Sequence, residues 1–214
     1  MNAGVLSPRR VLATRETAWA RRLARMLHEH GATPNAVSVA GAGWALAACA
    51  AFALVPSLSG TPQAIAYLAA AAAIQLRLLC NLLDGMLAVE EGLKTKLGDL
   101  YNEIPDRLAD VAILLGAGAA DNVVLGCAAA IAALFTAYIR VLGGSLGVEQ
   151  RFSGPMAKQH RMFVLTLAAI FGAGEAAART DPHAMRVGLL IVVVGAIVTA
   201  GRRTRLLARD MGAR

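Results

Sequence analysis

Apolar and polar positions alternate along this chain in long blocks. Six apolar blocks stand out, at 36–56, 64–88, 99–120, 122–140, 162–179 and 185–201. A helix needs about 20 residues to cross the hydrocarbon core of a bilayer. The pattern therefore predicts an all-α bundle of six transmembrane helices. The count falls to four or five if the second and third blocks, which are each polar over one half, are not both spans.

The segment before the first block has a different pattern. Residues 9–30 place apolar side chains largely on one face of a helix and arginines on the other. The apolar set is Val11, Leu12, Trp19, Leu23, Met26 and Leu27. This predicts an amphipathic helix that lies in the membrane interface, with a soluble tail as the alternative. We expect three regions: a cytoplasmic segment at 1–32, a transmembrane domain at 33–205 and a cytoplasmic tail at 206–214.

Composition and charge support a membrane protein. The chain is 57% hydrophobic and 16% charged, with a net charge of +7, whereas a soluble domain has about a quarter of its residues charged. Among the lysines and arginines, Arg179 and Arg186 lie on one predicted side, Arg77 and Arg107 lie within predicted spans, and the rest lie on the other side. This asymmetry places both termini in the cytoplasm of a bacterial-type inner or plasma membrane. The cations lie beside apolar segments, so anionic lipid headgroups explain them better than nucleic acid does.

One polar stretch, "CNLLDGMLAVEEGLKTKLGDLYNEIPDRLAD" at 80–110, interrupts this apolar chain. Its residues fall at helical spacing on two faces, one in the second block and one in the third. The first face carries Asn81, Asp84, Gly85 and Ala88, and the second carries Asn102, Asp106 and Asp110. The short turn between them brings the two faces together. Pro105 predicts that the third helix starts or bends there.

Carboxylates at membrane depth are normally paired or functional, because isolated ones are costly. Carboxylate and amide oxygens are the ligands that hard cations such as Mg²⁺, Mn²⁺ and Ca²⁺ prefer. The stretch therefore indicates a metal site that binds substrate phosphates. A structural polar network and the ion path of a transporter are the alternatives that spacing alone leaves open.

The stretch resembles the CDP-alcohol phosphotransferase family, whose signature is D-x2-D-G-x2-A-R-x8-G-x3-D-x3-D. The signature positions follow here without a gap, at Asn81, Asp84, Gly85, Ala88, Val89, Gly98, Asn102 and Asp106. Three positions depart from it, because Asn81 and Asn102 replace aspartates and Val89 replaces the arginine. An amide oxygen still binds a hard cation but adds no charge, so we expect weaker metal binding.

The resemblance implies transfer of a phosphatidyl group from CDP-diacylglycerol to a small polar alcohol, with release of CMP. It implies two Mg²⁺ or Mn²⁺ ions held by Asn81, Asp84, Asn102 and Asp106, with Asp106 also the general base. It assigns the CDP moiety to Gly85, Ala88 and Gly98, and it implies a homodimer. Three neighbouring acids are candidates to compensate for the missing carboxylates: Glu90, Asp99 and Glu103.

The acceptor alcohol requires other residues. A basic loop leads into the fifth block, and its Lys158 and Arg161, with Arg107 and Arg140, are candidates to hold an acceptor phosphate. This favours glycerol 3-phosphate, then an inositol phosphate or inositol. The alternatives are a loop that only sets topology and a salt bridge from Arg107 to Asp110 or Glu103. For the whole chain, the alternatives are a non-catalytic relative that binds CDP-lipid and an ion-coupled transporter.

Overall fold

The structure, a computed structural model, describes residues 17–90, 98–148 and 154–212, with only the backbone at 89, 90 and 98–102. These ranges contain seven α-helices and a short 3₁₀ turn, Val55–Ser57, which confirms the all-α prediction. The helices are α1 (Ala18–Glu29), α2 (Pro34–Leu54), α3 (Thr61–Glu90), α4 (Gly98–Ala120), α5 (Val123–Ser145), α6 (Lys158–Ala178) and α7 (Ala184–Gly212).

Each predicted span corresponds to one of the helices α2 to α7. Five of them, α2, α3, α5, α6 and α7, are long and apolar enough to cross a membrane. The helix α4 has 23 residues, but its first half carries the polar residues of the signature, so its composition is less apolar. Five candidate spans are therefore found in the described ranges, and the count of six stays a prediction.

Local chemistry fixes where the helices begin. The side chain of Thr33 accepts a hydrogen bond from the Ala36 N–H at 3.2 Å, and Pro34 occupies the first turn of α2. This is the usual arrangement at a helix start, because proline lacks only an N–H that the helix would not use. Asn122 caps α5 in the same way, through the N–H of Leu125 at 3.0 Å.

Pro105 lies inside α4, which begins at Gly98. The prediction that a helix starts at Pro105 is therefore wrong, and a bend there stays a prediction. Because proline has no N–H, Pro105 cannot donate to the carbonyl of Tyr101 one turn earlier.

Small residues set the close packing of the bundle. A Cβ added to Gly116 in α4 would lie 2.6 Å from Cα of Cys49 in α2, so the two backbones approach closely there. Larger side chains fill the space between helices, and Phe52, Ile74 and Leu165 are fully buried. Close approach through glycine and alanine is typical of helices that pack in membranes.

The helix α1 packs on the polar end of α3. Its Ala20 and Ala24 are buried in one cluster with Leu83 and Met86, whereas Trp19 on α1 is 52% exposed. Residues 9–16 of the predicted amphipathic helix lie outside the described ranges, so its placement in the membrane interface stays a prediction.

Candidate active site

The polar faces of α3 and α4 meet at one end of the bundle. Asp84 on α3 is 5% exposed and Asp110 on α4 is 2% exposed. Asp106, one turn before Asp110, is close enough to Asp84 for their charges to interact. Asp84 and Asp106, two aspartates of the signature, therefore lie near each other at this end of the bundle.

A third helix orients Asp84. The hydroxyl of Ser38 on α2 donates a hydrogen bond to Asp84 Oδ2 at 2.6 Å. Within the described ranges, no lysine or arginine lies at ion-pair distance from Asp84. Among the described residues, this buried carboxylate is therefore held by a neutral donor and has no cation in contact.

Asp106 and Asp110, in contrast, are bound by cations. Arg77 on α3 is fully buried, and its Nη2 lies 3.3 Å from Asp106 Oδ1 and 2.9 Å from Asp110 Oδ1. Lys158 Nζ donates to Asp106 Oδ2, and Arg161 Nη2 donates to Asp110 Oδ2 at 2.9 Å. Every carboxylate oxygen of this pair therefore has a cationic partner.

The cations from α6 occupy an unusual place. Lys158 and Arg161 lie in the first turn of α6, where the helix dipole disfavours positive charge. The carboxylates of α4 offset this effect, since Asp106 and Asp110 are one turn apart and face the two cations. The ion pairs thus connect α3, α4 and the start of α6 around the signature.

Arg161 is also part of a buried network that reaches α5 and α7. Its Nη1 donates to the carbonyl of Met156 at 3.1 Å, and Arg203 Nη1 donates to the carbonyl of Thr136 at 2.7 Å. The Met156 N–H in turn donates to the hydroxyl of Thr199 at 2.9 Å. These bonds fix the turn before α6, and with it the position of Lys158.

Two further arginines lie at the rim of the site. Arg140 on α5 contacts Glu103 at 2.6 Å, and Arg107 Nε lies 3.2 Å from the same oxygen of Glu103. Arg107 is also 4.0 Å from oxygens of Asp106 and Asp110. The salt bridges predicted as alternatives for Arg107 are therefore present.

The structure describes the side chains of only some of the remaining candidate residues. Asn81, Gly85 and Ala88 are partly buried on α3 beside Asp84. The side chains of five positions lie outside the described residues, namely Val89, Glu90, Gly98, Asp99 and Asn102. Whether Glu90 or Asp99 compensates for the missing aspartates therefore stays a prediction.

The sequence alone did not indicate a role for Arg77, Ser38 or Arg203. Arg77 carried a usable signal, because a cation inside an apolar block and four residues before Asn81 belongs on the same helical face. Ser38 carried no comparable signal, since hydroxyl side chains are common in membrane helices.

The two-ion site that the resemblance implies stays a prediction, because the side chain of Asn102 does not belong to the described side chains. Among them, no group of three or more His, Cys, Asp or Glu residues is placed to hold a metal ion. Both oxygens of Asp106 already have cationic partners. Asp84 fits a single ion better, because a buried carboxylate without a counter-ion favours a bound cation.

Comparison with known proteins shows what this chain is similar to. No family model matches it. It is 30% identical over 147 residues to a phosphatidylinositol phosphate synthase of Streptomyces avermitilis. The match covers 64% of this chain and spans 60% of the length of that curated relative.

Solved structures show the same fold. The phosphatidylinositol phosphate synthase of Mycobacterium tuberculosis in complex with manganese and citrate has a TM-score of 0.73 at 21% identity, over 88% of each chain. The same enzyme with CDP-DAG bound also gives 0.73, at 22% identity, over 89% of this chain and 94% of that one. The chain therefore has the same fold as this phosphatidylinositol phosphate synthase. Its relatives are phosphatidylinositol phosphate synthases, which agrees with the family predicted from the signature.

Proposed function

We propose that this chain transfers a phosphatidyl group from CDP-diacylglycerol to an alcohol and releases CMP, in phospholipid biosynthesis. The observation that supports it most is the proximity of Asp84 and Asp106, two aspartates of the gapless signature, whose charges interact at the end of the bundle where α3 ends and α4 begins. The fold supports it too, since a similar enzyme has been solved with CDP-DAG bound.

The donor would lie along the polar face of α3. Gly85 and Ala88 follow Asp84 on this face and leave room for the CDP moiety, with Gly98 at the start of α4 beyond them. A divalent cation, Mg²⁺ or Mn²⁺, held by Asp84 with Asn81 and Asn102, would supply charge neutralisation for the diphosphate. Manganese in a related structure supports a divalent ion here.

Asp106 would accept the proton of the acceptor alcohol. Its carboxylate is held by Arg77 and Lys158 from two sides, so its orientation is fixed before substrate binds. A positioned base of this kind typically contributes a factor of about 10² to 10⁴ in rate.

The charge balance of the site favours an acceptor that carries a phosphate. The described cations outnumber the carboxylates, and arginine is well suited to phosphate recognition. The cations are Arg77, Arg107, Arg140, Lys158, Arg161 and Arg203, and the carboxylates are Asp84, Glu103, Asp106 and Asp110. The name of the relatives favours an inositol phosphate over glycerol 3-phosphate as this acceptor.

The proposal keeps α4 as a sixth span. Its first half pairs with the start of α6 through Asp106 and Lys158, and just past its last turn Asp121 pairs with Arg186 near the start of α7 at 3.0 Å. These contacts lie at opposite ends of the helix, so α4 runs alongside the apolar spans. We place the active site and both termini on the cytoplasmic side, as the lysine and arginine asymmetry predicts. The family resemblance further implies a homodimer.

The direct test is CMP release by the purified protein in detergent. The assay contains CDP-diacylglycerol, Mg²⁺ or Mn²⁺, and one acceptor at a time: an inositol phosphate, glycerol 3-phosphate, inositol or serine. We expect metal-dependent release of CMP with a phosphorylated acceptor. Asp106→Asn should lower the rate at least about 100-fold, since it removes the base.

Asp181→Asn is the matched control, because Asp181 is exposed in the connection between α6 and α7. Full activity in Asp106→Asn would contradict the assignment of the base. Binding of CDP-diacylglycerol without CMP release would indicate a non-catalytic relative. Ion flux in liposomes that does not depend on a cytidine nucleotide would indicate a transporter.

A further inference from the structure

The two signature aspartates are held in different ways. Asp84 is bound by the hydroxyl of Ser38 and has no cationic partner in the part of the chain that the structure describes. Asp106 is bound through Oδ1 by Arg77 and through Oδ2 by Lys158. Among the described residues, one half of the site thus holds a buried carboxylate without a cation in contact, and the other half holds a carboxylate that two cations contact.

Lys158 lies close enough to the three aspartates of the site for its charge to interact with each of them. Its ammonium contacts Asp106 directly, and its charge also interacts with Asp84 and Asp110. Its side chain is 19% exposed, so it is accessible to a substrate that enters the site. The family resemblance assigns metal ions to Asp106, and Lys158 supplies a positive charge beside that same carboxylate.

Lys158 is also held there firmly. It begins α6, and the turn before it is fixed by the bond from the Met156 N–H to Thr199. A Cβ added to Gly154 would lie 2.4 Å from Cγ2 of Thr199, so this turn packs directly on α7. The ammonium is therefore positioned by the fold, as a bound ion would be by its ligands.

The departures of this chain from the family signature also disfavour a second metal ion. The family signature has aspartates where this chain has Asn81 and Asn102, so two negative charges are missing. Among the described side chains, a second divalent ion at Asp106 would meet the ammonium of Lys158 and the guanidinium of Arg77 beside a carboxylate that both already neutralise. Repulsion between like charges in a poorly solvated site opposes its binding.

We propose that this site holds one divalent cation, on the Asp84 side, and that Lys158 replaces the second ion as the positive charge that faces the substrate phosphate. This inference rests on the proposed function for its substrate. It makes Lys158 a partner of the donor diphosphate rather than only a ligand of the acceptor.

The number of bound ions can be measured without turnover. Purified protein in detergent is titrated with Mn²⁺ alone, and free Mn²⁺ is followed by electron paramagnetic resonance. We expect one Mn²⁺ per chain in the wild type. Asp84→Asn should weaken this binding at least about 10-fold, in line with the loss of a charged ligand.

The triple variant Asn81→Asp, Asn102→Asp, Lys158→Gln tests the replacement itself. It restores both carboxylates and removes the ammonium, so we expect two Mn²⁺ per chain. A second variant combines Asn81→Asp and Asn102→Asp with Lys158→Arg, which keeps a positive charge at position 158. It should bind fewer Mn²⁺ ions than the triple variant. Arg205→Gln, a change at an exposed residue of α7, should leave the count at one. Thermal unfolding of each variant verifies that it is folded.

Two ions or none in the wild type would overturn the inference, as would a folded triple variant that still binds one. These results are independent of the assay for CMP release. A protein that releases CMP and binds two Mn²⁺ contradicts the inference alone, whereas one that binds a single Mn²⁺ but transfers no phosphatidyl group contradicts only the proposed function.

Discussion

At the residue scale, Arg77 is the charge on which the acidic pair depends. It is fully buried, and it joins Asp106 to Asp110 through one nitrogen. Its Nε and Nη1 have no hydrogen-bond partner among the described atoms. Burying these two nitrogens without partners costs free energy, which the ion pairs of Arg77 must offset.

Replacing Arg77 should therefore strongly destabilise the fold. We expect Arg77→Gln to lower the free energy of unfolding by about 3–5 kcal/mol, because it leaves buried carboxylates without this partner. Chemical denaturation in detergent, followed by circular dichroism, measures the change.

A double-mutant cycle provides the control for Arg77. Asp110→Asn removes one of the two carboxylates, so Arg77→Gln should be less damaging in that background than in the wild type. Strictly additive effects of the two substitutions would show that the pair is not coupled and would contradict this account.

At the element scale, the position of the site depends on how closely α2 approaches α4. Ser38 reaches Asp84 from α2, and Gly116 lets the two helices pack backbone to backbone near Cys49. A side chain at position 116 would separate these helices. The hydrogen-bond distance from Ser38 to Asp84 would then change as well.

Gly116→Ala should accordingly destabilise the protein, although alanine is the better helix former. The new Cβ would meet the Cys49 backbone at 2.6 Å, and overpacking of this kind costs about 1–3 kcal/mol. Gly43→Ala on α2 is the matched control, since a Cβ there meets nothing within 4 Å. We expect it to be neutral or slightly stabilising. Equal thermal stability of the two variants would contradict the close contact.

At the scale of the whole molecule, the ion pairs at its two ends predict the topology. The site lies at the end where α4 and α6 begin, and the pair of Arg186 with Asp121 lies at the opposite end. If α4 is a span and the termini are cytoplasmic, as the lysine and arginine asymmetry predicts, the connection after α5 is also cytoplasmic and the connection after α6 is outside.

Cysteine labelling measures this directly. In a variant with the three native cysteines replaced by alanine, Ser59→Cys and Asp181→Cys should react with a membrane-impermeant thiol reagent in intact cells. Ser145→Cys and Met211→Cys should react only after permeabilisation. Labelling of position 145 in intact cells, with position 181 protected, would mean that α4 does not cross the membrane.

Five of the six predicted spans are long and apolar enough to cross a membrane, because each contains a long apolar block, and such a block is stable as a helix in a bilayer. Helix boundaries were less predictable. The helix α7 continues to Gly212, beyond the predicted end at 201, because arginine is a good helix former outside the membrane as well. Pro105 did not mark the start of α4, since that helix begins at Gly98 in a polar segment whose limits hydrophobicity cannot set.

The sequence by itself determined the class of fold, the two polar faces and the signature that contains Asp84 and Asp106, because each depends only on spacing along one or two neighbouring helices. Only the tertiary structure decided the partners of these carboxylates. Lys158 follows Asp106 by some fifty positions in the chain, and no local period relates such distant residues. The packing of α6 against α3 brings them together, and it places the ammonium of Lys158 in contact with Asp106.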